Sequence, residues 1–332
     1  MGHIDLLAIG DVVVDDFIRL KEASVHCTLN NESCEICMRW GDKIPFEFAV
    51  YVPGVGNSAN AAVSGARLGL TSALHAYAGE DAHGEACLEA LRKDHVLTDW
   101  VEKVPGKHTN YHYVLWYESE RTILIKHEVF DYQVPKLPDA PRWLYLSSLA
   151  SNSLPYHEML MGQLASWTET KLAFQPGTFQ LRMGSVALKA VYERSNIFFC
   201  NKEEAEHILE MKDGSDVKAL LSGIQKLGPK VVVVTDDRKG AYALDDEGNY
   251  WYIPMYPDPR PALERTGAGD AFASSVVSAL ALGLPLQEAL LWGPINAMSV
   301  VQDIGAQKGL LSRAQLEEYM KNKPEEYRLR PL

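Results

Sequence analysis

The sequence has few cysteines, no long apolar run and no excess of basic residues. Five cysteines among 332 residues are too few for a disulfide scaffold, and their number is odd, so we expect reduced thiols. No uninterrupted apolar run approaches the roughly 20 residues that span a bilayer. Residues 1–10 lack the basic start and the apolar stretch of a signal peptide. These absences predict a cytoplasmic protein.

The charge balance is acidic. Lysine and arginine number 32 against 44 aspartates and glutamates, which gives a formal net charge of −12. Nucleic acids and anionic membranes reward a basic face, so neither is expected as a partner. Apolar residues make up 47% and charged residues 23% of the chain, which is typical of a globular protein and excludes a disordered one. The length fits one large α/β domain or two domains.

Strands and helices are predicted to alternate along the chain. Residues 4–9 form an apolar run that ends at Gly10, which predicts a buried strand and a turn. Further strands are predicted at residues 72–78, 143–146, 172–174, 197–199 and 231–235. Helices are predicted at residues 85–93, 156–168, 185–193, 202–211, 217–226, 271–282 and 286–301. Such alternation is typical of a parallel sheet covered on both faces, with ligands beyond the carboxyl ends of its strands.

Two segments lie outside this alternation. Residues 23–52 hold three cysteines and short alternating stretches, which predict an irregular β segment outside the main core. Residues 111–117 and 122–126 are rich in aromatic and β-branched residues, and these two predicted strands are candidates to complete the same small sheet.

The strongest local pattern is Thr266-Gly267-Ala268-Gly269-Asp270-Ala271-Phe272, which precedes an apolar helix. Two glycines that flank an alanine let the backbone approach a ligand closely. Their N–H groups then lie at a helix N-terminus, which favours an anion. Asp270 adds a carboxylate at this place. It either accepts the proton of a substrate hydroxyl during phosphoryl transfer or only caps the helix.

Polar residues mark a second glycine segment and the end of the first strand. Pro53-Gly54-Val55-Gly56-Asn57-Ser58-Ala59-Asn60 contains two asparagines, whose amides donate and accept hydrogen bonds and so suit a polyol. A turn followed by an N-cap at Asn57 or Ser58 explains the same segment. Three acidic residues follow Gly10: Asp11, Asp15 and Asp16. They are candidates for binding hydroxyls or a metal ion, and a solvated loop explains them equally well.

A third pattern, Asn201-Lys202-Glu203-Glu204, follows the predicted strand at residues 197–199. A carboxylate at a strand end could organise magnesium and water near phosphates. The pattern is also that of a capping box, with Asn201 as N-cap and Glu204 three residues later.

Taken in this order, the patterns resemble the ribokinase family of carbohydrate and nucleoside kinases, the PfkB family. The resemblance runs from residue 4 to about residue 312 and is most specific at residues 266–270. It implies a ribokinase-like three-layer α/β/α core with a mostly parallel sheet and a small β lid over the substrate. We expect the core at residues 1–15, 53–109 and 131–323, the lid at 16–52 and 110–130, and a loose tail at 324–332.

The resemblance also implies roles for individual residues. Asp270 matches the family's catalytic base. The family's anion hole is matched by Gly267, Ala268 and Gly269. Those expected to bind substrate hydroxyls are Asp15, Gly56, Asn57 and Asn60. Those that match phosphate and nucleotide segments are Asn201, Glu204, Thr235, Gly240 and Gly305. Glu204 is expected to hold magnesium through water.

The activity that the resemblance implies is ATP-dependent phosphorylation of a small sugar hydroxyl, as in a ribokinase or fructokinase. Magnesium is expected. In many members of the family a monovalent cation adjoins a late loop, here residues 305–309, and lid sheets often pair two subunits into a homodimer. The small-molecule partner is a sugar or a nucleoside. An adenosine-like nucleoside kinase is the first alternative. A catalytically silent sugar-binding protein of the same fold is the second.

Several positions depart from the family pattern. The second signature begins with Glu264-Arg265 rather than Asp-Thr, and Arg265 either adds a phosphate contact or disturbs the cation site. Asp237 stands where the family has a glycine, and Gln175-Pro176-Gly177 replaces a stretch that often holds an aspartate. The first glycine pair is interrupted, as Gly54-Val55-Gly56.

The lid segment contains candidate zinc ligands. Cys34 and Cys37 form a C-x2-C pair, and His26 and Cys27 lie upstream. A zinc site of Cys27, Cys34 and Cys37 is one interpretation, and half-buried thiols are the other, which we favour because a second ligand pair is missing. Other histidines, His127 among them, show no ligand spacing.

Overall fold

The computed structural model describes residues 3–27, 34–118, 120–212 and 214–332, and a large mixed sheet lies at its centre. The strands of this sheet, in spatial order, are Arg330–Pro331 (β16), Tyr250–Ile253 (β15), Ala241–Leu244 (β14), Val231–Thr235 (β13), Ile197–Asn201 (β12), Lys171–Phe174 (β11), Trp143–Leu146 (β10), Leu6–Ile9 (β1), Ser72–Gly79 (β6) and Leu97–Val104 (β7). The strands from β13 to β7 run parallel, which confirms the predicted fold class. Strands β14 to β16 add an antiparallel edge.

Helices cover both faces of the large sheet because its central strands are apolar on both sides. In β1, Leu6 and Ala8 belong to the core of one face and Leu7 and Ile9 to that of the other, as the two-residue period of a strand requires. The helices on the first face are Asn57–Arg67 (α1), Ala82–Lys93 (α2), Ala268–Ala281 (α8), Leu286–Val300 (α9) and Arg313–Lys321 (α10). Those on the second are Leu154–Ser166 (α3), Thr178–Ala187 (α4), Lys189–Arg194 (α5), Lys202–Ile208 (α6) and Val217–Gln225 (α7). No helix in the described residues is long and apolar enough to cross a membrane.

A second, four-stranded sheet is the lid sheet. Its strands in spatial order are Phe46–Val55 (β5), Val13–Leu20 (β2), Asn110–Tyr117 (β8) and Glu120–Lys126 (β9). Strand β2 pairs antiparallel with β5 and parallel with β8, and β8 pairs antiparallel with β9. The chain enters this sheet directly after β1, so the polar residues that follow β1 lie between the two sheets.

A separate hairpin of Ser24–Cys27 (β3) and Cys34–Cys37 (β4) corrects two predictions about the cysteines. Cys27 and Cys34 face each other across the hairpin and form a disulfide, so these two are not reduced thiols. The zinc site of Cys27, Cys34 and Cys37 is also wrong, because this disulfide uses two of its three ligands. In the described part of the chain, no three His, Cys, Asp or Glu side chains are placed to hold a metal ion. Residues 28–33, which belong to the predicted lid, lie outside the described residues.

The predicted loose tail is wrong. Arg330 and Pro331 pair with β15 at the edge of the large sheet. The Tyr327 side chain is only 1% exposed, and its hydroxyl donates a hydrogen bond to the backbone oxygen of Leu291. The ring of Tyr327 also lies 4.9 Å from that of Tyr256, edge to face. Residues 324–332 are charged in composition, but one buried aromatic residue anchors them to α9.

Candidate active site

Two cavities meet at the carboxyl ends of the parallel strands, where this type of sheet binds ligands. The lid cavity has walls from both sheets, with His112 and Ile125 on the lid sheet and Asp270 on the core side. The apolar cavity lies beside α9 and is lined mainly by apolar side chains such as Met255 and Met298. The residues that line both cavities are Thr235, Arg265, Gly269 and Phe272. The cavities therefore join at the N-terminus of α8.

Asp270 lies in the first turn of α8, on the wall of the lid cavity. Its carboxylate accepts hydrogen bonds from Asn57 Nδ2 at 2.9 Å, Asn60 Nδ2 at 2.8 Å and Gln175 Nε2 at 3.1 Å. Burial raises the pKa of Asp270, although the three amides favour its charged form. No side-chain hydrogen bond caps α8, whose N-cap is Gly267, so the capping role does not apply. A desolvated carboxylate with a raised pKa is suited to accepting a proton.

Gly267 gives the turn before α8 a conformation that another residue would not adopt. Its φ is +80°, in the left-handed region, and a Cβ here would overlap Ala306. The helix that follows has 14 residues, so its first N–H groups and its dipole favour an anion at this point. Gly269 faces both cavities. The Gly267–Gly269 turn therefore lies where a group passing between the cavities would have to pass.

The start of α1 differs from the predicted cap. Gly56 is its N-cap and no side chain caps the helix, so an N-cap at Asn57 or Ser58 is wrong. The Ser58 hydroxyl instead donates to the backbone oxygen of Asp11 at 2.9 Å. Asn57 and Asn60 both line the lid cavity. Their side-chain amide groups are directed at Asp270, which gives them the task of orienting the carboxylate.

Asp15 lies on β2 at the end of a row of four polar side chains. Its Oδ1 is 3.0 Å from Nδ1 of His112 on β8, and Nε2 of His112 is 3.2 Å from Nε2 of His127. Nδ1 of His127 is 3.2 Å from Oδ2 of Asp11. All four side chains line the lid cavity. Neither histidine belongs to a sequence motif, so neither was predicted as a site residue.

Asn201 and Glu204 form both hydrogen bonds of a capping box at the start of α6. The Asn201 side chain accepts from the Glu204 N–H at 2.8 Å, and the Glu204 carboxylate accepts from the Asn201 N–H at 2.8 Å. The capping interpretation is therefore confirmed. Both residues also line the lid cavity. Burial raises the pKa of Glu204, and the charge of Asp270 adds to the increase.

The residues expected beside a nucleotide are divided between two places. Thr235 ends β13 and lines both cavities, and Gly240 lines the apolar cavity. Gly305 lies away from these linings, next to Val52 of β5, where a Cβ would be 3.7 Å from the Val52 methyl groups. Gly305 is therefore placed against the lid sheet and not in either cavity.

Two departures from the family pattern form an ion pair. The Arg265 guanidinium lies 3.5 Å from the Asp237 carboxylate, and both side chains line the apolar cavity. The positive charge of Arg265 offsets the carboxylate that would otherwise repel a triphosphate.

Arg121 of β9 joins the lid sheet to the segment before Gly267. Its guanidinium lies 3.4 Å from Glu264 Oε1, and the Glu264 side chain is 3% exposed. The same Oε1 accepts hydrogen bonds from the Thr266 N–H, at 2.7 Å, and from the Thr266 hydroxyl. Glu264 therefore connects a lid strand with the turn that begins α8.

A comparison with known sequences identifies the family. A sequence profile of the pfkB family of carbohydrate kinases matches residues 46–313, which is most of the chain. This chain belongs to the pfkB family. As a member of this family of carbohydrate kinases, the chain is a phosphotransferase with an alcohol group as acceptor.

Relatives and solved structures agree with this placement. A nucleoside kinase of Methanothermobacter thermautotrophicus is 25% identical over 260 residues, which cover 77% of the pfkB chain and 80% of that protein. A ribokinase of Bacillus subtilis is 24% identical over 275 residues, which cover 81% of this chain and 88% of that protein. The structure of Arabidopsis thaliana ribokinase complexed with ribose and ATP is similar, with a TM-score of 0.79 and 19% identity. The match covers 96% of this chain and 99% of that one. The likeness confirms the ribokinase-like fold.

Several side chains that line the lid cavity were absent from the predicted site, and four of them are polar or charged groups used below. These four are Arg121, His112, His127 and Gln175. Gln175 follows β11, so its place after a predicted strand was a signal that could have found it. The other three belong to lid strands or to the segment after them. Their approach to the core depends on how two sheets face each other, which no local pattern contains.

Proposed function

We propose that this pfkB-family kinase phosphorylates a small sugar held in the lid cavity, with Asp270 as the base. The observation that supports this proposal is the position of Asp270, a buried carboxylate held by three amides where two cavities meet. The sugar hydroxyl gives its proton to Asp270 as its oxygen bonds to the γ-phosphorus and the bond to the leaving ADP oxygen breaks. The Gly267–Gly269 amides stabilise the charge on the transferred group.

ATP is proposed to occupy the apolar cavity, with its triphosphate directed toward α8. Apolar side chains such as Met298 and Phe272 suit the faces of a purine. Thr235 and Gly240 lie on the wall nearest the phosphates, and Arg265 supplies positive charge. Asn201 is proposed to act together with Glu204 on the phosphate side.

Magnesium is proposed to be held by Glu204, through water, and by the phosphates. Magnesium keeps several waters and takes one or two carboxylates beside substrate phosphates. Glu204 supplies one such carboxylate on the wall of the lid cavity, and a bound cation would offset the burial that raises its pKa. When bound, the ion would neutralise charge on the triphosphate. A monovalent cation is proposed near the loop at residues 305–309.

The acceptor is proposed to be a neutral sugar rather than a sugar acid. Asp15 and Asp11 line the lid cavity, and two carboxylates repel an anionic acceptor while accepting hydrogen bonds from hydroxyls. A nucleoside is the alternative acceptor. It is favoured by the relative named as a nucleoside kinase and by the ring of Phe179 on the cavity wall, which offers a face to a base.

The deciding experiment measures ADP release from ATP and magnesium across pentoses, hexoses, sugar acids, sugar phosphates and nucleosides. Asp270→Asn should reduce kcat by about 10²- to 10⁴-fold. Its thermal unfolding at neutral pH should occur at or above the wild-type temperature, because the ionised buried Asp270 disfavours the folded state. Near-normal turnover in this variant would contradict the role of Asp270. No turnover on any compound would favour the silent sugar-binding alternative.

The lid is proposed to comprise residues 16–52 and 110–130 and to mediate a homodimer. Tyr113 and Leu124 pair across β8 and β9, and their side chains are 46% and 53% exposed. They adjoin His112 and Ile125 in sequence and so point to the opposite face of the lid sheet. Exposed apolar side chains on this outer face favour contact with a second copy. Sedimentation velocity that shows only monomers would contradict the proposal.

A cytoplasmic location is proposed because the reaction uses ATP. The Cys27–Cys34 disulfide lies on an exposed hairpin, so its reduction there would disturb no core contact. Nucleic acids and membranes are not proposed as partners, since the net charge is −12. Fractionation of intact cells tests this location, and recovery of the protein outside the cytosolic fraction would contradict it.

A further inference from the structure

Four side chains form a continuous row along the lid cavity, which we call the Asp–His row: Asp15, His112, His127 and Asp11. Two atoms at the Asp11 end lack a hydrogen bond. Within the described residues, Oδ2 of Asp11 and Nδ1 of His127 are both buried without a hydrogen-bond partner. They lie 3.2 Å apart, yet their orientation makes no hydrogen bond between them. Asp11 is only 4% exposed, so bulk water is an unsatisfactory partner for its carboxylate.

The protons of the row can be counted along its hydrogen bonds. Asp15 is an acceptor, so the proton of a neutral His112 ring is on Nδ1. Nε2 of His112 is then an acceptor and receives the Nε2 proton of His127. A neutral His127 has no proton left for Nδ1. Nδ1 and the neighbouring Asp11 oxygen are therefore two acceptors side by side, and both lack a donor.

A ligand donor placed between the two atoms shares its one proton between the Asp11 oxygen and Nδ1 of His127. In a sugar this donor is a hydroxyl, which a deoxy, ether or keto analogue does not supply. Neighbouring side chains hold Asp11 and His127 in position. The Tyr132 hydroxyl donates to the other Asp11 oxygen at 3.3 Å, and the Phe179 ring lies 5.4 Å from that of His127, edge to face. The unfilled atoms are thus held in position before any ligand arrives.

We propose that Asp11 and His127 bind one hydroxyl of the sugar acceptor, distinct from the hydroxyl that gives its proton to Asp270. His112 is a positioning residue that sets the proton on His127, and Asp15 fixes His112. The pair makes the enzyme selective for an acceptor with this second hydroxyl. This assignment rests on the proposed function, because it places the acceptor in the lid cavity.

Two variants of His127 separate its ring nitrogens. His127→Gln keeps a polar atom near the place of Nε2 and loses Nδ1, whereas His127→Asn keeps one near Nδ1. The loss of a hydrogen bond to a charged or buried partner should raise the acceptor KM and Kd of His127→Gln by about 10- to 100-fold. The KM for ATP and the unfolding temperature should change little. His127→Asn should lie closer to wild type, and Asp11→Asn should weaken acceptor binding too.

His108→Gln is the matched control. His108 lies just before β8, and its side chain is exposed. It is not among the residues that line the lid cavity, so its substitution should leave the acceptor KM unchanged. The decisive measurement compares the accepted sugar with each of its monodeoxy analogues. One analogue should bind wild type about 10- to 100-fold more weakly and bind His127→Gln with no further loss.

Binding by calorimetry without ATP separates this inference from the proposed function. If sugars bind in a His127-dependent manner but are not phosphorylated, the inference stands and the kinase proposal fails. If sugars are phosphorylated and His127→Gln matches wild type in acceptor KM, the inference is wrong. It is also wrong if every monodeoxy analogue loses equal affinity in wild type and in His127→Gln, or if no neutral sugar binds wild type.

Discussion

Asp270 is a carboxylate that burial disfavours and three amides support. Gln175 supplies one of these amides, and its orientation is set by Tyr145, whose hydroxyl donates to Gln175 Oε1. With Oε1 engaged, Nε2 of Gln175 is directed at the carboxylate. The residue that departs from the family's usual aspartate at this stretch thus tunes the proposed base without adding a second negative charge.

The pH profile of Gln175→Met tests this support. Losing a donor to the charged form should raise the pKa of Asp270 beyond its already raised value. A base works when deprotonated, so activity is present above this pKa and is lost as the pH falls through it. The acid limb of kcat/KM should therefore move to higher pH. An unmoved limb in Gln175→Met would contradict the argument, and Gln133→Met, at an exposed position, is the control.

Among the elements, the turn into α8 was largely predictable. The Gly-Ala-Gly spacing indicates a helix N-terminus that receives an anion, and α8 begins there, at Ala268. What the spacing does not contain is the neighbour of Gly267, since Ala306 approaches from a loop 39 positions later in the chain. Close approach of two backbone segments makes the turn both tight and specific to glycine.

Two glycine variants separate backbone strain from this close approach. Gly267 and Gly283 have φ values of +80° and +87°, so alanine at either position should destabilise the fold by about 1 kcal/mol. At Gly283 a Cβ meets nothing within 4 Å, and activity should persist. Gly267→Ala should lose more stability and at least about 100-fold in kcat as the amides shift. Equal activity in the two variants would contradict this expectation.

The lid strand β9 supports the same turn through Arg121 and Glu264. Arg121→Gln should leave Glu264 buried without its cation, so the lid closes less well over the cavity. We expect the ratio of ATP hydrolysis to sugar phosphorylation to rise several-fold, because water enters. Lys126→Gln, on the same strand and exposed, should leave the ratio unchanged. A wild-type ratio in Arg121→Gln would show that the ion pair is dispensable.

In the molecule as a whole, the C-terminal segment closes the antiparallel edge of the large sheet. Strand β16 covers β15, which would otherwise present unpaired backbone groups to solvent. Tyr327 fixes this segment to α9 from within the core. The composition of residues 324–332 is that of an exposed tail, and a single buried tyrosine among charges carries no periodic signal.

Unfolding measurements test the role of Tyr327. Tyr327→Ala should destabilise the protein by about 3–5 kcal/mol, as for other large buried aromatic residues. Glu325→Ala, two positions earlier and exposed, should change stability by less than about 0.5 kcal/mol. The midpoint of chemical denaturation reports both. Equal midpoints would mean that the segment contributes little to the fold.

The sequence by itself determined the parallel core and the main catalytic candidate. Predicted strands at 143–146 and 231–235 coincide with β10 and β13. Short apolar runs between helices are typical of buried parallel strands. The helix predicted at 185–193 is instead two helices, α4 and α5, with a non-helical Gly184 in α4. Strands β14 and β15 were not predicted. They form a short antiparallel edge, and no helices alternate with them to indicate strands at these positions.

Only the tertiary structure decided how the two sheets face each other. The Asp–His row, the Arg121–Glu264 ion pair and the Cys27–Cys34 disulfide all join residues through strand pairing or sheet packing. Local patterns describe a residue's own strand or helix, whereas these contacts depend on register between distant segments. The proposed proton acceptor was therefore predictable from the chain, and the side chains that complete its cavity were not.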